Sequence, residues 1–291
     1  MKINKAIILA AGYGTRFLPI TKTIQKEMLP LLQRPWIDYV VDDCIKAGVT
    51  DIIFVVKEQD TQIRHYYSED GYTKRYLERM NKSDKYIQIA DLHTKARFTF
   101  VEQTEQDKYG TAVPVLLAKK HVINEDAFLV IGGDDYFYNS DGTSEVANMI
   151  DTFNKSNASG LVTCINVPKS LIGKYGIADY REEDGYKFLI KQVEKPEPDE
   201  INSTLATISK YIFTPKLYDY LEGQELDKKS GELYITTAYA KYAQDYNVVL
   251  HSPTGRYLDS GYLLGWLKSN LTMAKEDPEL WKEVKDFINA I

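Results

Sequence analysis

Short apolar runs separated by polar, glycine-containing loops recur along the first half of the chain. Residues 6–10, 51–56 and 127–131 are rich in β-branched side chains and are bounded by Gly, Lys or Asp. Such runs predict buried strands of a parallel sheet. Between the first two runs, apolar residues recur every three or four positions after Pro35 and stop at Gly48, which predicts a helix. Strand, helix and strand in this order predict a βαβ unit.

The same alternation continues further along the chain. It predicts strands at 97–101 and 160–167 and helices at 113–120 and 145–154. Residues 175–213 change character and predict several strands in a mixed or antiparallel arrangement. The tail predicts two helices broken at Asp277-Pro278, and the tyrosine-rich stretch 68–95 predicts helix. We therefore expect an α/β fold with a mostly parallel central sheet flanked by helices, a smaller mixed insertion and C-terminal helices.

Composition and charge narrow the class of protein. The chain has 291 residues, with 36 basic and 42 acidic side chains and a net charge of −6. This balance argues against broad binding to the nucleic-acid backbone. The two cysteines, Cys44 and Cys164, form neither a disulfide framework nor a zinc site by themselves, which fits a reducing cytoplasm. The apolar run after Lys5 is too short to cross a membrane, so we expect a cytoplasmic protein with no membrane partner.

The loop after the first strand carries the clearest chemical signal. Gly12 and Gly14 let backbone N–H groups approach an anion at the carboxyl end of a strand. A dinucleotide fingerprint would require Gly or Ala at Phe17, and a P-loop would require Gly-Lys followed by Ser or Thr. Arg16 can hold a phosphate through two hydrogen bonds, and Lys26 follows ten residues later. The alternative is a glycine turn with solvated basic residues; the combination of these features favours a phosphate-binding loop of another kind.

Residues 10–19 (Ala-Ala-Gly-Tyr-Gly-Thr-Arg-Phe-Leu-Pro), Thr21-Lys22 and residues 26–30 (Lys-Glu-Met-Leu-Pro) closely resemble the signature of the bacterial sugar-nucleotide pyrophosphorylases. The spacing is most similar to that of the members that transfer a uridylyl group. The resemblance implies a Rossmann-like nucleotide-diphospho-sugar transferase fold. It also implies that UTP and glucose 1-phosphate give UDP-glucose and pyrophosphate with Mg²⁺, in a homodimer or homotetramer. We expect one domain over 1–291, with a nucleotide-binding part (1–170), a sugar-binding part (171–260) and C-terminal helices (261–291).

The resemblance also implies roles for individual residues. Arg16, Lys26 and Lys195 are expected to be catalytic, and Gly176, Glu194 and Lys195 to bind the sugar phosphate. The residues expected to bind the nucleotide are Ala10, Ala11, Gly12, Gly14, Thr15, Arg16, Gln103 and Gly110. Among these, the Gln103 amide would read the uracil edge, and Gly110 would let the backbone approach the base. Glu194 and Lys195 are neighbours, so both can serve one site only if their strand ends or bulges there.

Two aspartates are expected to hold the cation. Asp134 follows a buried strand, where a carboxylate can hold a hard cation at the ligand crevice. Asp259 lies in a similar local setting before Gly261, and both match the magnesium ligands of the family by motif position. Each, taken alone, is more readily explained as a turn or helix-capping residue than as a metal ligand. The family motif favours the metal role for both.

The chain departs from the family pattern at five places. Gln25 stands where the uridylyl enzymes carry Pro, Gly132-Gly133 where they carry Leu-Pro, Thr111 where they carry His, Ser209 where they carry Gly and Thr237 where they carry Asp. These differences lie around the expected base and sugar pockets. A related transferase that uses dTTP, CTP or another hexose 1-phosphate therefore stays an alternative. A second alternative is an inactive relative that binds nucleotide sugars in a regulatory role.

Overall fold

A mixed β-sheet forms the centre of the protein. The computed structural model describes residues 1–197 and 199–290, and Pro198 and Ile291 lie outside the described residues. The strands are β1 (Lys5–Ala10), β2 (Pro30–Leu31), β3 (Arg34–Pro35), β4 (Asp51–Lys57), β5 (Arg97–Gln103), β6 (Phe128–Gly132), β7 (Asp135–Tyr138), β8 (Gly160–Asn166), β9 (Gly176–Glu183), β10 (Tyr186–Glu194), β11 (Leu205–Phe213), β12 (Val248–His251) and β13 (Arg256–Asp259).

Helices cover the sheet and extend into the tail. They are α1 (Trp36–Lys46), α2 (Gln62–Tyr66), α3 (Gly71–Arg79), α4 (Ser83–Tyr86), α5 (Val113–Leu117), α6 (Lys119–Val122), α7 (Glu145–Lys155), α8 (Leu217–Glu222), α9 (Ile235–Asp245), α10 (Leu263–Ala274) and α11 (Pro278–Ala290). The βαβ unit, the helix at 145–154 and the two tail helices are confirmed. The predicted helix 113–120 is divided into α5 and α6, and the segment 68–95 is helical only in short pieces.

The strand order is β5-β4-β1-β6-β11-β8-β12-β10-β9, and β11 also pairs with β9. The neighbours among β5, β4, β1 and β6 are parallel. From β11 onward most pairings are antiparallel, and only β12 and β8 are parallel neighbours. The expected mostly parallel sheet is therefore correct for four strands and wrong for the sheet as a whole. Because β11 inserts between β6 and β8, the expected insertion is a continuation of the central sheet.

Burial explains which runs became strands. Ile7, Ile8, Phe54 and Val130 are fully buried, as the near-continuous apolar runs require when helices cover both faces. The β9–β10 hairpin turns through Asp184 and Gly185, whose φ angles are both positive (51° and 79°). Two such residues form the tight turn that favours twisted antiparallel hairpins. The Asp-Gly pair sets the register next to the turn, and a bulge between Leu189 and Lys191 shifts it by one residue, which brings Gly176 opposite Glu194.

A small two-stranded sheet of β7 and β13 lies beyond the end of β6 and positions the candidate site. Its antiparallel register pairs Asp135 with Asp259, although 124 positions separate them in the chain. The segment after β13 continues into α10, whose N-cap residue Tyr262 makes no side-chain capping bond. In the part of the chain that the structure describes, every helix is too short or too polar to cross a bilayer.

Candidate active site

The loop after β1 forms one wall of a cavity. Three single 3₁₀ turns replace a long opening helix here, at Thr15–Phe17, Ile20–Lys22 and Lys26–Met28. Gly14 has a φ angle of 63°, and its carbonyl accepts a hydrogen bond from the Thr21 hydroxyl at 2.8 Å. The cavity measures about 220 Å³ and is lined by Gly12, Tyr13, Gly14, Thr15, Arg16, Phe17, Lys26, Tyr109, Asp134 and Gly261. The loop therefore presents backbone N–H groups and two cations to one small space.

Ala10 and Ala11 differ from the other loop residues predicted to bind the nucleotide. Ala10 is fully buried in β1, and its side chain packs in the core. Ala11 lines a second cavity, described below, together with Gly12. The structure therefore brings Ala11, Gly12, Gly14, Thr15 and Arg16 to the walls of the site and leaves the side chain of Ala10 beneath it.

Lys26 forms an ion pair with Asp134. Its Nζ lies 2.6 Å from Asp134 Oδ2 and 3.6 Å from Glu27 Oε1. Burial alone would lower the pKa of Lys26, but the charges of Asp134 and Glu27 outweigh it and raise the pKa. Lys26 is therefore a permanent cation at the floor of the cavity.

The two predicted metal ligands are close together in space. The Ser260 hydroxyl donates to the carbonyl of Asp134 at 3.1 Å, which ties the end of β13 to the residue before β7. Asp259 Oδ1 accepts the Gly261 N–H at 2.8 Å, and Arg16 Nη1 donates to the Gly261 carbonyl at 3.3 Å. The turn after Asp259 thereby joins the phosphate loop.

The donor set fits Mg²⁺. Burial raises the pKa of Asp259, and the charge of Asp134 raises it further although the Gly261 N–H and Arg16 oppose this. Two carboxylates that repel one another in a half-buried site gain stability when a divalent cation lies between them. Mg²⁺ is usually held by one or two carboxylates together with substrate phosphates. The described residues contain no group of three His, Cys, Asp or Glu side chains that could hold a metal alone.

The second cavity, of about 180 Å³, adjoins the first. It is lined by Leu9, Ala11, Gly12, Lys26, Glu27, Gln103, Tyr109, Gly110, Thr111, Pro114, Gly132, Asp134, Asp135, Ser209 and Glu232. Gln103 ends β5, and its amide Nε2 donates to the Lys108 carbonyl at 3.3 Å. That bond orients the amide. The two cavities share Gly12, Lys26, Tyr109 and Asp134, so one extended ligand can occupy both.

Gly110 is required by the protein's own backbone. Its φ angle is 123°, and a Cβ there would lie 2.3 Å from the Leu233 carbonyl oxygen. The Leu233 N–H donates to the Tyr109 carbonyl, and the Ala112 N–H donates to the Leu233 carbonyl, each at 2.9 Å. These contacts give a physical reason for glycine at position 110 other than the expected approach of the backbone to a base. Its missing side chain lets the segment around Leu233 cross over the loop.

Thr111 has a structural contact of the same kind. Its hydroxyl accepts a hydrogen bond from the Ile235 N–H at 3.1 Å, at the first turn of α9. Together with the Leu233 contacts, this bond joins the loop 109–112 to the segment 231–236. The departure from the family pattern at Thr111 therefore has a packing explanation.

The residues predicted to bind the sugar phosphate lie next to one another but outside these two cavities. Gly176 faces Glu194 across β9 and β10, and a Cβ on Gly176 would lie 2.8 Å from Glu194 Oε2. The strand ends at Glu194, and Lys195 follows with a φ angle of 47° while its N–H donates to the Tyr175 carbonyl at 2.9 Å. The expectation that the strand ends here is confirmed. Glu194 lines a separate cavity of about 200 Å³ together with Gln192, Thr236, Thr237, Ala240, Lys241 and Gln244.

The tyrosine before Gly176 connects this hairpin to the cation site. Burial and the charge of Asp259 raise the pKa of Tyr175, and the charge of Arg16 opposes them. The Tyr175 side chain therefore lies within electrostatic reach of both residues.

One buried and one half-buried carboxylate have no site role predicted from the sequence. Glu27 and Asp135 both line the second cavity, and burial raises their pKa values to about 7 and about 6. A Cβ on Gly132 would lie 2.4 Å from Asp135 Oδ2, and one on Gly133 would lie 3.0 Å from Glu27 Cγ. The glycine pair thus makes room for both carboxylates. In the sequence, the Gly132-Gly133 pair before Asp134 is the signal that two carboxylates need space there.

The sequence and the structure were found to resemble proteins of known activity. Residues 5–276 match the family described as nucleotidyl transferase. A UTP–glucose-1-phosphate uridylyltransferase of Staphylococcus epidermidis is 34% identical over 291 residues, which cover 100% of this chain and 99% of that protein. The uridylyltransferase of the same name from Bacillus subtilis is 31% identical and matches over 100% of this chain and 97% of that protein.

Solved structures agree with the sequence relatives. A UTP-bound UGPase from Acinetobacter baumannii is similar with a TM-score of 0.85 and 30% identity, over 99% of each chain. A UDP-glucose pyrophosphorylase complexed with UDP-glucose has a TM-score of 0.83 and 30% identity, over 94% of this chain and all of that one. The similarity therefore covers both cavities and the Gly176–Lys195 region.

Proposed function

The chain belongs to the nucleotidyl transferase family, and we propose that it transfers the uridylyl group of UTP to glucose 1-phosphate, releasing pyrophosphate and forming UDP-glucose. The observation that carries this proposal is the pair of adjoining cavities. One is lined by the phosphate loop and the other by Gln103, and Lys26 and Asp134 belong to both. A nucleoside triphosphate can place its base beside Gln103 and its phosphates on the loop. Its α-phosphate would then lie near Lys26.

The reaction requires no general base, because the attacking phosphate oxygen of glucose 1-phosphate is already ionised. Catalysis then consists of positioning the two phosphates in line and stabilising the charge that develops between them. Arg16 holds the triphosphate and the departing pyrophosphate, and Lys26 stabilises charge at the α-phosphate. Lys195 orients the attacking phosphate, and Glu194 accepts hydrogen bonds from sugar hydroxyls. The Gln103 amide donates and accepts at the uracil edge.

Asp134 and Asp259 would hold Mg²⁺. When bound, the cation offsets the negative charge of the α-phosphate and the sugar phosphate. The two aspartates contribute the negative charge that retains it, and the Ser260 bond to the Asp134 carbonyl fixes their separation. A homodimer or homotetramer in the cytoplasm is part of the proposal, and the buried free thiols Cys44 and Cys164 agree with a reducing compartment.

Pyrophosphate release tests the proposal. The wild-type chain is assayed with UTP, dTTP, CTP, ATP and GTP, each with several sugar 1-phosphates, with Mg²⁺ and with EDTA. We expect turnover with UTP and glucose 1-phosphate, and none after removal of Mg²⁺. Turnover with dTTP, CTP or another hexose phosphate instead would change the proposed substrates. The residues proposed to bind the metal and the phosphates would stay the same. Binding of UDP-glucose without turnover on any pair would favour the regulatory alternative.

A further inference from the structure

Lys26 and the cation compete for the same carboxylate group, that of Asp134. In the ligand-free structure Lys26 Nζ donates to Asp134 Oδ2 at 2.6 Å. A bound Mg²⁺ lies about 2.1 Å from its carboxylate oxygens. A cation on either oxygen of this carboxylate would lie close to the Lys26 ammonium group, and the two positive charges repel each other strongly in a partly buried site. This repulsion favours release of Asp134 by Lys26 when the cation binds, and the release frees Lys26 to contact the α-phosphate.

Glu27 is the available acceptor. Its side chain is fully buried, and neither of its carboxylate oxygens accepts a hydrogen bond from any of the described residues. Its Oε1 lies 3.6 Å from Lys26 Nζ, a distance that a small rotation of the lysine would close. A buried carboxylate without a hydrogen-bond donor is unfavourable, and such groups are rare in native proteins. If Lys26 changed partner, its ammonium group would supply the hydrogen-bond donor that the Glu27 carboxylate lacks.

The backbone around Glu27 is built to hold it. Gly133 has no side chain, and a Cβ there would lie 3.0 Å from Glu27 Cγ and 3.0 Å from the Leu9 carbonyl oxygen. The Gly133 N–H donates to that same carbonyl at 2.9 Å, which fixes the end of β6 against β1. The end of β6 thus encloses the Glu27 side chain closely.

We propose that Glu27 is a positioning residue that receives the Lys26 ammonium group when the magnesium–nucleotide complex takes Asp134. This inference rests on the proposed function. Lys26 then moves between two carboxylates: Asp134 in the free protein, and Glu27 together with the α-phosphate in the complex. Glu27 acts through Lys26, by lowering the free energy needed to release Asp134.

A double-mutant cycle on nucleotide binding tests this. UTP affinity is measured by titration calorimetry with Mg²⁺ and with EDTA, without glucose 1-phosphate, so that no turnover occurs. The measured quantity is the ratio by which Mg²⁺ tightens UTP binding. Glu27→Gln should reduce this ratio about tenfold, because Lys26 loses its charged alternative partner. In the Lys26→Ala background the same change should have no effect, because Asp134 is already free.

Each other outcome overturns the inference. An equal reduction in both backgrounds would identify Glu27 as a direct cation ligand, and no reduction in either would give it no part in metal binding. A wild type that binds UTP equally with and without Mg²⁺ would also refute it, since nothing would then displace Lys26. Pyrophosphate release by the wild type tests the proposed function independently of this inference. Glu222→Gln is the matched control, since Glu222 is a surface residue paired with Lys119.

Discussion

Substituting Gly110 by Ala tests the backbone crossing that shapes the base-side cavity. The new Cβ would lie 2.3 Å from the Leu233 carbonyl oxygen and 2.5 Å from the Leu233 nitrogen. No real Cβ tolerates such contacts, so one of the two segments must move. The movement would break the two 2.9 Å hydrogen bonds that Leu233 makes with Tyr109 and Ala112. The variant therefore separates the loop 109–112 from the segment 231–236.

The loss in free energy of unfolding can be calculated from these contacts. A residue with a side chain at a φ angle of 123° costs about 1–3 kcal/mol, and two lost backbone hydrogen bonds cost about 1 kcal/mol each. Gly110→Ala should therefore reduce the free energy of unfolding by about 3–5 kcal/mol, a large part of the roughly 5–15 kcal/mol of a typical domain. Because Tyr109 and Thr111 line the cavity, the KM for UTP should rise about tenfold or more.

The assay compares this variant with Gly142→Ala. Gly142 also has a positive φ angle, 77°, but no atom lies within 4 Å of a Cβ built there. It should lose only about 1 kcal/mol, from backbone strain alone. Urea unfolding gives the stabilities, and initial rates at varied UTP give KM. Equal losses of stability in the two variants, with an unchanged KM for Gly110→Ala, would refute the reasoning.

Three further predictions concern charged groups. Lys26→Ala should lower kcat by about 100-fold or more while the circular dichroism spectrum stays native, because a cation at the α-phosphate is lost; wild-type turnover would contradict this role. Glu27→Gln should stabilise the protein by about 1–2 kcal/mol at pH 8 and have little effect at pH 4. Burial raises the pKa of Glu27 from 4.5 to about 7, so the cost of burying the ionised carboxylate appears as the pH rises through that range. Equal urea midpoints of the variant and the wild type at pH 8 would contradict this prediction. Burial would raise the pKa of Glu145, but hydrogen bonds from His251 and the Gly255 N–H outweigh it and lower the pKa to about 2. The stability that Glu145 contributes should therefore be present above about pH 4.5 and be lost as the pH falls toward 2, and a Glu145→Gln variant should lose less stability over that window in acid unfolding.

Controls separate these effects from general damage. Lys155→Ala removes a surface lysine that pairs only with its helical neighbour Asp151, so its kcat should be unchanged. Asp151→Asn serves as the control for the acid-unfolding comparison, since Asp151 is exposed. A Glu145→Gln variant with the same pH dependence as the wild type would show that the buried His251 contact does not set the acid stability.

Much of the local structure followed from the sequence. The apolar runs at 6–10, 51–56 and 127–131 became β1, β4 and β6, because nearly every residue in them is buried. The loop glycines and Arg16 were assigned to a phosphate-binding loop, and the structure places them around one cavity. These features depend on residues close together in the chain, and hydrophobic pattern and backbone permissiveness decide them.

Membership of the central sheet was not decided locally. The pattern over 175–213 indicated mixed or antiparallel strands, which the structure confirms for β9, β10 and β11, but it did not tell which of them would join the central sheet. The choice depends on β11 fitting between β6 and β8, which is a matter of long-range pairing. The expectation of a mostly parallel sheet failed for this reason.

The sequence by itself determined which residues can carry the chemistry, since a carboxylate, an ammonium group or a glycine has that capacity wherever it lies. The tertiary structure decided which of them share a space. It brought Asp259 beside Asp134 through the pairing of β7 with β13, and it placed Lys26 between Asp134 and Glu27. It also showed that Leu233, a residue 123 positions away, crosses over Gly110 so closely that a side chain at position 110 would collide with it. Such distances depend on pairing between strands far apart in the chain, and local hydrophobic patterns do not specify that pairing.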